Sequence, residues 1–243
     1  EHHAPLRSAR GTTRPPNILW RFMDSYSAKL KSLFEKHANP AQAAPMKKYM
    51  RDQFEYLGIK SPQVKELLRE HVKLHGLPAL EEIDAITLDL WSLPQREFQY
   101  AAMSLMERLE KKLPKSSVKT LEYMITHKSW WDTVNNIAHI VGAHFRRFPD
   151  VKEKYLAKWR KSKNIWFRRT AILFQLDYKK ETDFGLLCNI IRENLGSDEF
   201  FINKAIGWSL RQYAREDTKA VKRFVKETDL HPISRREAMK HLR

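Results

Sequence analysis

The sequence predicts an all-α fold built as a solenoid of stacked antiparallel helix pairs, and three observations predict it. The 243 residues hold only 7 Gly and 11 Pro, and Leu, Lys, Arg, Glu and Ala are abundant, which favours helix over sheet. Apolar residues recur at three- and four-residue steps in successive segments, and no alternating apolar/polar run is long enough for a strand. The segments also resemble one another at a near-constant spacing.

In chain order, Asn39-Pro40 caps and starts a helix through AQAAPMKKYMRDQF, residues 41–54, and Gly58 closes the segment that follows. Ser61-Pro62 starts SPQVKELLREHVKLHG, which Gly76 stops; Val64, Leu67, Leu68, Val72 and Leu74 give it one apolar stripe. Leu90, Trp91 and Leu93 precede Pro94, after which QREFQYAAMSLMERLE resumes the helical period. Further helices are predicted over 115–126, 130–147, 150–161, 164–178, 182–195, 198–215, 217–227 and 234–242.

Five of these segments align. Each has a polar lead-in, a large apolar anchor and then a helix. The anchors Phe98, Trp131, Trp166, Phe200 and Ile233 are spaced by 33, 35, 34 and 33 residues. Ala171, Ala205 and Ala238 each stand five positions after their anchor, where a small side chain lets helices approach closely. Helices of standard length in an ordinary bundle can mimic such a period. The recurrence of anchor plus alanine favours an α-solenoid whose second helices line a concave face.

Composition narrows the function classes. The formal net charge is +16; the first 22 residues carry four Arg against one Glu and so contribute +3, leaving +13 on the rest. Such a surplus suits a polyanion, either nucleic acid or an anionic membrane surface, although a well-solvated lysine surface is compatible with it too. The basic residues are spread over many helices, which disfavours the membrane. The single cysteine, Cys188, lies in the apolar run GLLCNII as a buried core residue; it excludes an internal disulfide framework and suits a reducing cytosol. No stretch reaches the length of a membrane span. Residues 1–22, with paired histidines and Pro-Pro before Met23, read as a tag or non-native extension, and 23–243 as a single domain.

The helices predicted to line the concave face carry Trp130-Trp131, then Arg168-Arg169, then Lys204 with Trp208 and Arg211. Arginine gives planar contacts to phosphate, and aromatic faces pack on sugars and bases. Each tryptophan alone is better read as buried in a helix interface; the set, with arginines on equivalent helices, is better read as a nucleic-acid groove. His71 and His75 stand four apart, a spacing zinc uses, but no third ligand accompanies them and an exposed polar face is expected. No Gly-rich phosphate loop, Cys pair or serine-nucleophile signature is present.

KSWWDTVNNI, NIWFRRTAILFQL and DEFFINKAIGWSLRQYA closely resemble the bacterial DNA alkylation-repair family of HEAT-like-repeat glycosylases, the AlkD-like proteins. The resemblance runs from about Ser25 to the C-terminus and includes NPAQAAPMKKYM and LPQREFQ. It implies a HEAT-like-repeat solenoid that binds double-stranded DNA with alkylated purines, as a cytoplasmic monomer without metal or cofactor. The implied reaction is hydrolysis of the N-glycosidic bond of N3- or N7-alkylated purines without base flipping. The resemblance places the cleft tryptophans on Trp131 and Trp208, the phosphate-holding arginine on Arg169 and a groove tyrosine on Tyr49. Lys204, Arg211 and Arg168 join them as DNA-binding residues. The family's catalytic carboxylate falls on Asn135, which has no negative charge and is no useful base. Asp132 matches a structural aspartate of the family. Three readings of Asn135 stay open: a natural change in a weakened or non-catalytic relative, an engineered change that traps substrate, or a site where a cationic lesion leaves slowly without a carboxylate. Beside the glycosylase stand a non-enzymatic binder of structured or distorted DNA and, more distantly, a solenoid that meets an acidic protein partner.

Overall fold

The structure, a computed structural model, describes residues 25–241. The proposed extension over 1–22 and the last residue of the helix predicted over 234–242 lie outside the described residues. Among the described residues the fold is all-α: α1 (Tyr26–Lys36), α2 (Pro40–Tyr49), α3 (Ser61–His75), α4 (Ile83–Ser92), α5 (Arg96–Arg108), α6 (Val118–Thr126), α7 (Trp131–Arg147), α8 (Pro149–Trp159), α9 (Ile165–Leu173), α10 (Phe184–Arg192), α11 (Phe200–Tyr213), α12 (Thr218–Glu227) and α13 (Pro232–Ala238). Extended pairing is limited there to one isolated bridge between Glu55 and Gln95.

Local chemistry starts and stops these helices. Side chains of Ser25, Asn39, Asn164, Asp183 and Asp217 accept a hydrogen bond from a first-turn amide of the helix each precedes. Gly76, at φ 78°, closes α3. Packing then follows a simple order. From α1 to α13 every odd-numbered helix lies against the next odd-numbered one, and α4, α6, α8, α10 and α12 cover the other side. This is the neighbour pattern of a repeat stack. The alanines five positions past their anchors sit where it requires them, with Ala171 at 1%, Ala205 at 0% and Ala238 at 0% exposure in the seams of α9, α11 and α13.

Several expectations need correction. The helix predicted through Phe54 stops at Tyr49, because Arg51 and Asp52 take left-handed backbone at φ 53° and 57°. The chain then runs extended because the buried Glu97 carboxylate accepts from the amides of Leu57, Gly58 and Ile59, which a helix would satisfy internally. Gly58 is obligatory there: at φ +89° its missing Cβ would lie 2.0 Å from Asn39 O. Helices α1 and α4 were not predicted, although α4, IDAITLDLWS, buries Ile83, Ile86, Thr87, Leu90 and Trp91 at regular helical spacing. His71 is not on an exposed face. It is buried edge-on against Tyr26, while His75 beside it is exposed. Of the anchors, Phe98 is fully buried but Phe200 stands in solvent at 53% exposure, because it opens α11 at the rim of a cleft.

The polar residues of LPQREFQ are structural. Arg96, Glu97 and Gln99 are all fully buried. Gln99 Nε2 donates to the carbonyls of Leu90, Trp91 and Leu93, which are orphaned at the end of α4. Among the described residues no helix is long and apolar enough to cross a membrane. Cys188 is buried, and burial pushes its thiol up to about 11.

Candidate nucleic-acid interface

The odd-numbered helices from α3 to α13, with α2, contribute side chains to a cleft in two joined compartments. The larger, of about 840 Å³, runs from Tyr49 on α2 across α3, α5 and α7 to Trp208 on α11. The smaller, of about 300 Å³, is lined by α7, α9, α11 and α13. Trp131, Asn135 and Trp208 line both and mark the junction.

Helix periodicity makes this possible. On α7, Trp131, Asn135 and His139 follow at four-residue steps, so one edge faces the cleft. On α11, Lys204, Trp208 and Arg211 follow at steps of four and three, which keeps them on one edge as well. Trp131 and Trp208 are half-buried, with part of each indole left open to the cleft. Trp91 and Trp159, by contrast, are core residues whose indole N–H groups donate to His127 O and Glu122 Oε1.

Arg169 lies behind the junction at 4% exposure. Its Nε and Nη2 donate to Asn135 Oδ1 at 3.1 and 2.8 Å, and Nη1 donates to Phe201 O. Every acceptor is neutral, and burial brings the guanidinium down to about 10. A cation buried in this way favours any anion brought to it.

Lys204 and Arg211 reach the smaller compartment but share a carboxylate there. Lys204 Nζ donates to Glu237 Oε2 at 2.7 Å, and Arg211 Nη1 donates to Glu237 Oε1. Burial, then the cations of Arg211, Arg236 and Arg169, hold the Lys204 ammonium below its ordinary value. Tyr49, 75% exposed, forms the far rim of the larger compartment. Arg168 does not join the cleft: it points to Asn194 Oδ1, 3.4 Å away, because it is one step round α9 from Arg169.

Asp132 also touches the cleft wall, yet its carboxylate is committed. Arg96, fully buried, donates to it through Nε at 3.0 Å and Nη2 at 2.7 Å, and Tyr100 OH donates at 2.8 Å. Tyr56 OH lies 3.2 Å from Tyr100 OH, and burial pushes the Tyr56 phenol up to about 12. The sequence carries no signal for this chain of contacts or for the close pair that Asp177 makes with the cleft residue His139, and Glu237 was missed although it stands at the repeat position of Asn135 and Lys204. Among the described residues no group of three or more His, Cys, Asp or Glu side chains is placed to hold a metal ion.

With the geometry established, comparisons place the chain. The sequence profile of the DNA alkylation repair enzyme family matches residues 30–242. The chain belongs to that family. A solved structure from the same family, a predicted DNA alkylation repair enzyme from Enterococcus faecalis, is 31% identical, with a TM-score of 0.78 over 84% of this chain and 96% of that one. No curated protein matches the chain. DNA alkylation repair is thus the setting in which the cleft has to be read.

Proposed function

We propose that this alkylation-repair protein binds duplex DNA along the cleft and hydrolyses the N-glycosidic bond of N3- or N7-alkylated purines, slowly, with the base left in the helix. The single observation that carries this reading is the meeting of Trp131, Arg169 and Trp208 around Asn135 in one cleft.

The chemistry suits these groups. An alkylated purine is already positively charged. When C1′–N9 breaks, both bonding electrons leave with the purine and cancel that charge, and the sugar becomes oxocarbenium-like. Water adds at C1′ and loses a proton to solvent. No general acid is required. Two indole faces attract the cationic base and sugar, and the buried Arg169 guanidinium offers free N–H donors to a phosphate beside the lesion.

Asn135 sets the rate. Its carbonyl is held by Arg169 and supplies a dipole where a carboxylate would supply a charge, which costs on the order of 10²–10⁴ in rate. The same residue favours a second reading, a non-catalytic protein that recognises distorted duplex DNA. One experiment separates the two: release of 7-methylguanine from methylated duplex by the protein and by Asn135→Asp, side by side. Slow release that rises in the variant supports hydrolysis. Tight binding with no release from either form refutes hydrolysis and leaves the binding role.

A further inference from the structure

Glu237 has no assigned role, and its placement is unusual. It stands four residues after the anchor Ile233, the register that Asn135 holds after Trp131 and Lys204 holds after Phe200. Helix α13 packs on α11 so closely that a Cβ on Gly207 would come within 2.5 Å of Glu237 Cβ. Gly207 therefore admits the glutamate to the residue next to Trp208. The Glu237 side chain is only 15% exposed, and the remaining surface lies in the compartment with Trp131, Asn135, Arg169 and Trp208. Among the described residues lining that compartment it is the one carboxylate, set against Arg169, Lys204 and Arg211. The carboxylates of Asp132 and Glu107 belong to the larger compartment, and Arg96 and Tyr100 already occupy Asp132.

We propose that Glu237 supplies the negative charge of this cleft, stabilising the positive charge that moves onto the sugar as a cationic purine leaves. The proposal rests on the glycosylase reading above. In the free protein Lys204 and Arg211 occupy both carboxylate oxygens. A DNA phosphate offers the same two cations a competing anion, and in taking them it turns the Glu237 charge toward the lesion. Glu237 forms no bond and takes no proton. Its contribution is electrostatic, in a site where Asn135 contributes only a dipole.

This assignment predicts effects of opposite sign. Glu237→Gln lowers 7-methylguanine release by about 10²-fold. Duplex affinity is kept or tightened, because a competitor for two phosphate-binding cations is gone, and the dependence of log K on log salt steepens by up to about one. A glutamate that merely holds Lys204 and Arg211 in place moves affinity and rate down together, and that result overturns the proposal. An unchanged release rate overturns it as well. If Asn135→Asp releases base but the unaltered protein does not, Glu237 is not supplying the charge, while the glycosylase reading survives. If neither form releases base, both fall. A second measurement needs no variant: a duplex with a cationic azasugar at the lesion position should bind several-fold tighter than one with neutral tetrahydrofuran. Absence of that preference refutes the proposal even if Glu237→Gln does not fold, and where the variant folds the preference should vanish.

Discussion

Replacing Asp132 by Asn tests whether the cleft's most visible carboxylate is architecture or chemistry. Arg96 has no exposure and places four hydrogen bonds: two to Asp132, one to Lys128 O at 2.7 Å and one to Thr133 Oγ1 at 3.0 Å. The guanidinium also lies 3.7 Å from the centre of the Phe54 ring. Asparagine keeps the shape of the side chain but removes the only anion paired with Arg96 among the described residues. Its NH₂ must also face an Arg96 N–H in either orientation, because Arg96 donates to both Asp132 oxygens. A buried cation stripped of its partner in this way costs about 3–5 kcal/mol. For a domain of this size each kcal/mol moves Tm by about 2–4 °C, so a fall of roughly 6–20 °C is expected. Thermal unfolding by circular dichroism reads it. Base release at a temperature where the variant is folded should be within a few-fold of the parent. An unchanged Tm accompanied by lost base release would show the reasoning wrong and make Asp132 a catalytic group.

Two further perturbations test the electrostatics. Asn135→Asp turns the two Arg169 hydrogen bonds into charge-assisted ones and gives the buried guanidinium a counter-ion, for a gain of about 1 kcal/mol at neutral pH. Arg169 holds the new carboxyl below its ordinary range, so the gain is present above the unfolded value near ~4 and disappears as pH falls through the folded one. A variant that melts below the parent at pH 7 contradicts this. His71 is 3% exposed, and burial, then His75 and Lys29, bring its imidazole down to about 4. The unfolded chain, near ~6.5, therefore binds a proton that the folded state refuses. Stability from this source is complete above about pH 6.5 and declines toward pH 4, by about 1–3 kcal/mol after allowance for solvent at the ring edge. Chemical denaturation of His71→Phe across that range should show a shallower loss than the parent, and an equal slope rules out His71 as the cause.

Much of this was legible because helix period and repeat period are written in residue spacing. Anchors 33 to 35 residues apart located the stacked helices, and the alanines behind three of them located the tight seams. The cleft residues Trp131, Arg169 and Trp208 stand on successive odd-numbered helices but not in one register, at zero, three and eight residues from their anchors, so it was residue type on neighbouring helices that pointed to them. Arg168 shows the limit of that argument. One residue turns a helix by about 100°, so a neighbour of a cleft arginine faces elsewhere. Loop chemistry was less legible, since Glu97 holds the chain after α2 from 38 to 40 residues away. Glu237 could have been found in the alignment of repeats, because it falls where Asn135 and Lys204 fall. Its pairing with Lys204 and Arg211 depends on the Gly207 contact, which spacing alone does not reveal.

We propose that one positively charged cleft around Trp131, Arg169 and Trp208 takes duplex DNA. Fluorescence anisotropy of a labelled duplex, titrated at several salt concentrations, tests it most directly. Binding is expected whose log K falls linearly and steeply with log salt, with the slope reduced by about one in folded Arg169→Gln. Absent or salt-independent binding, or a slope indifferent to Arg169, would contradict it.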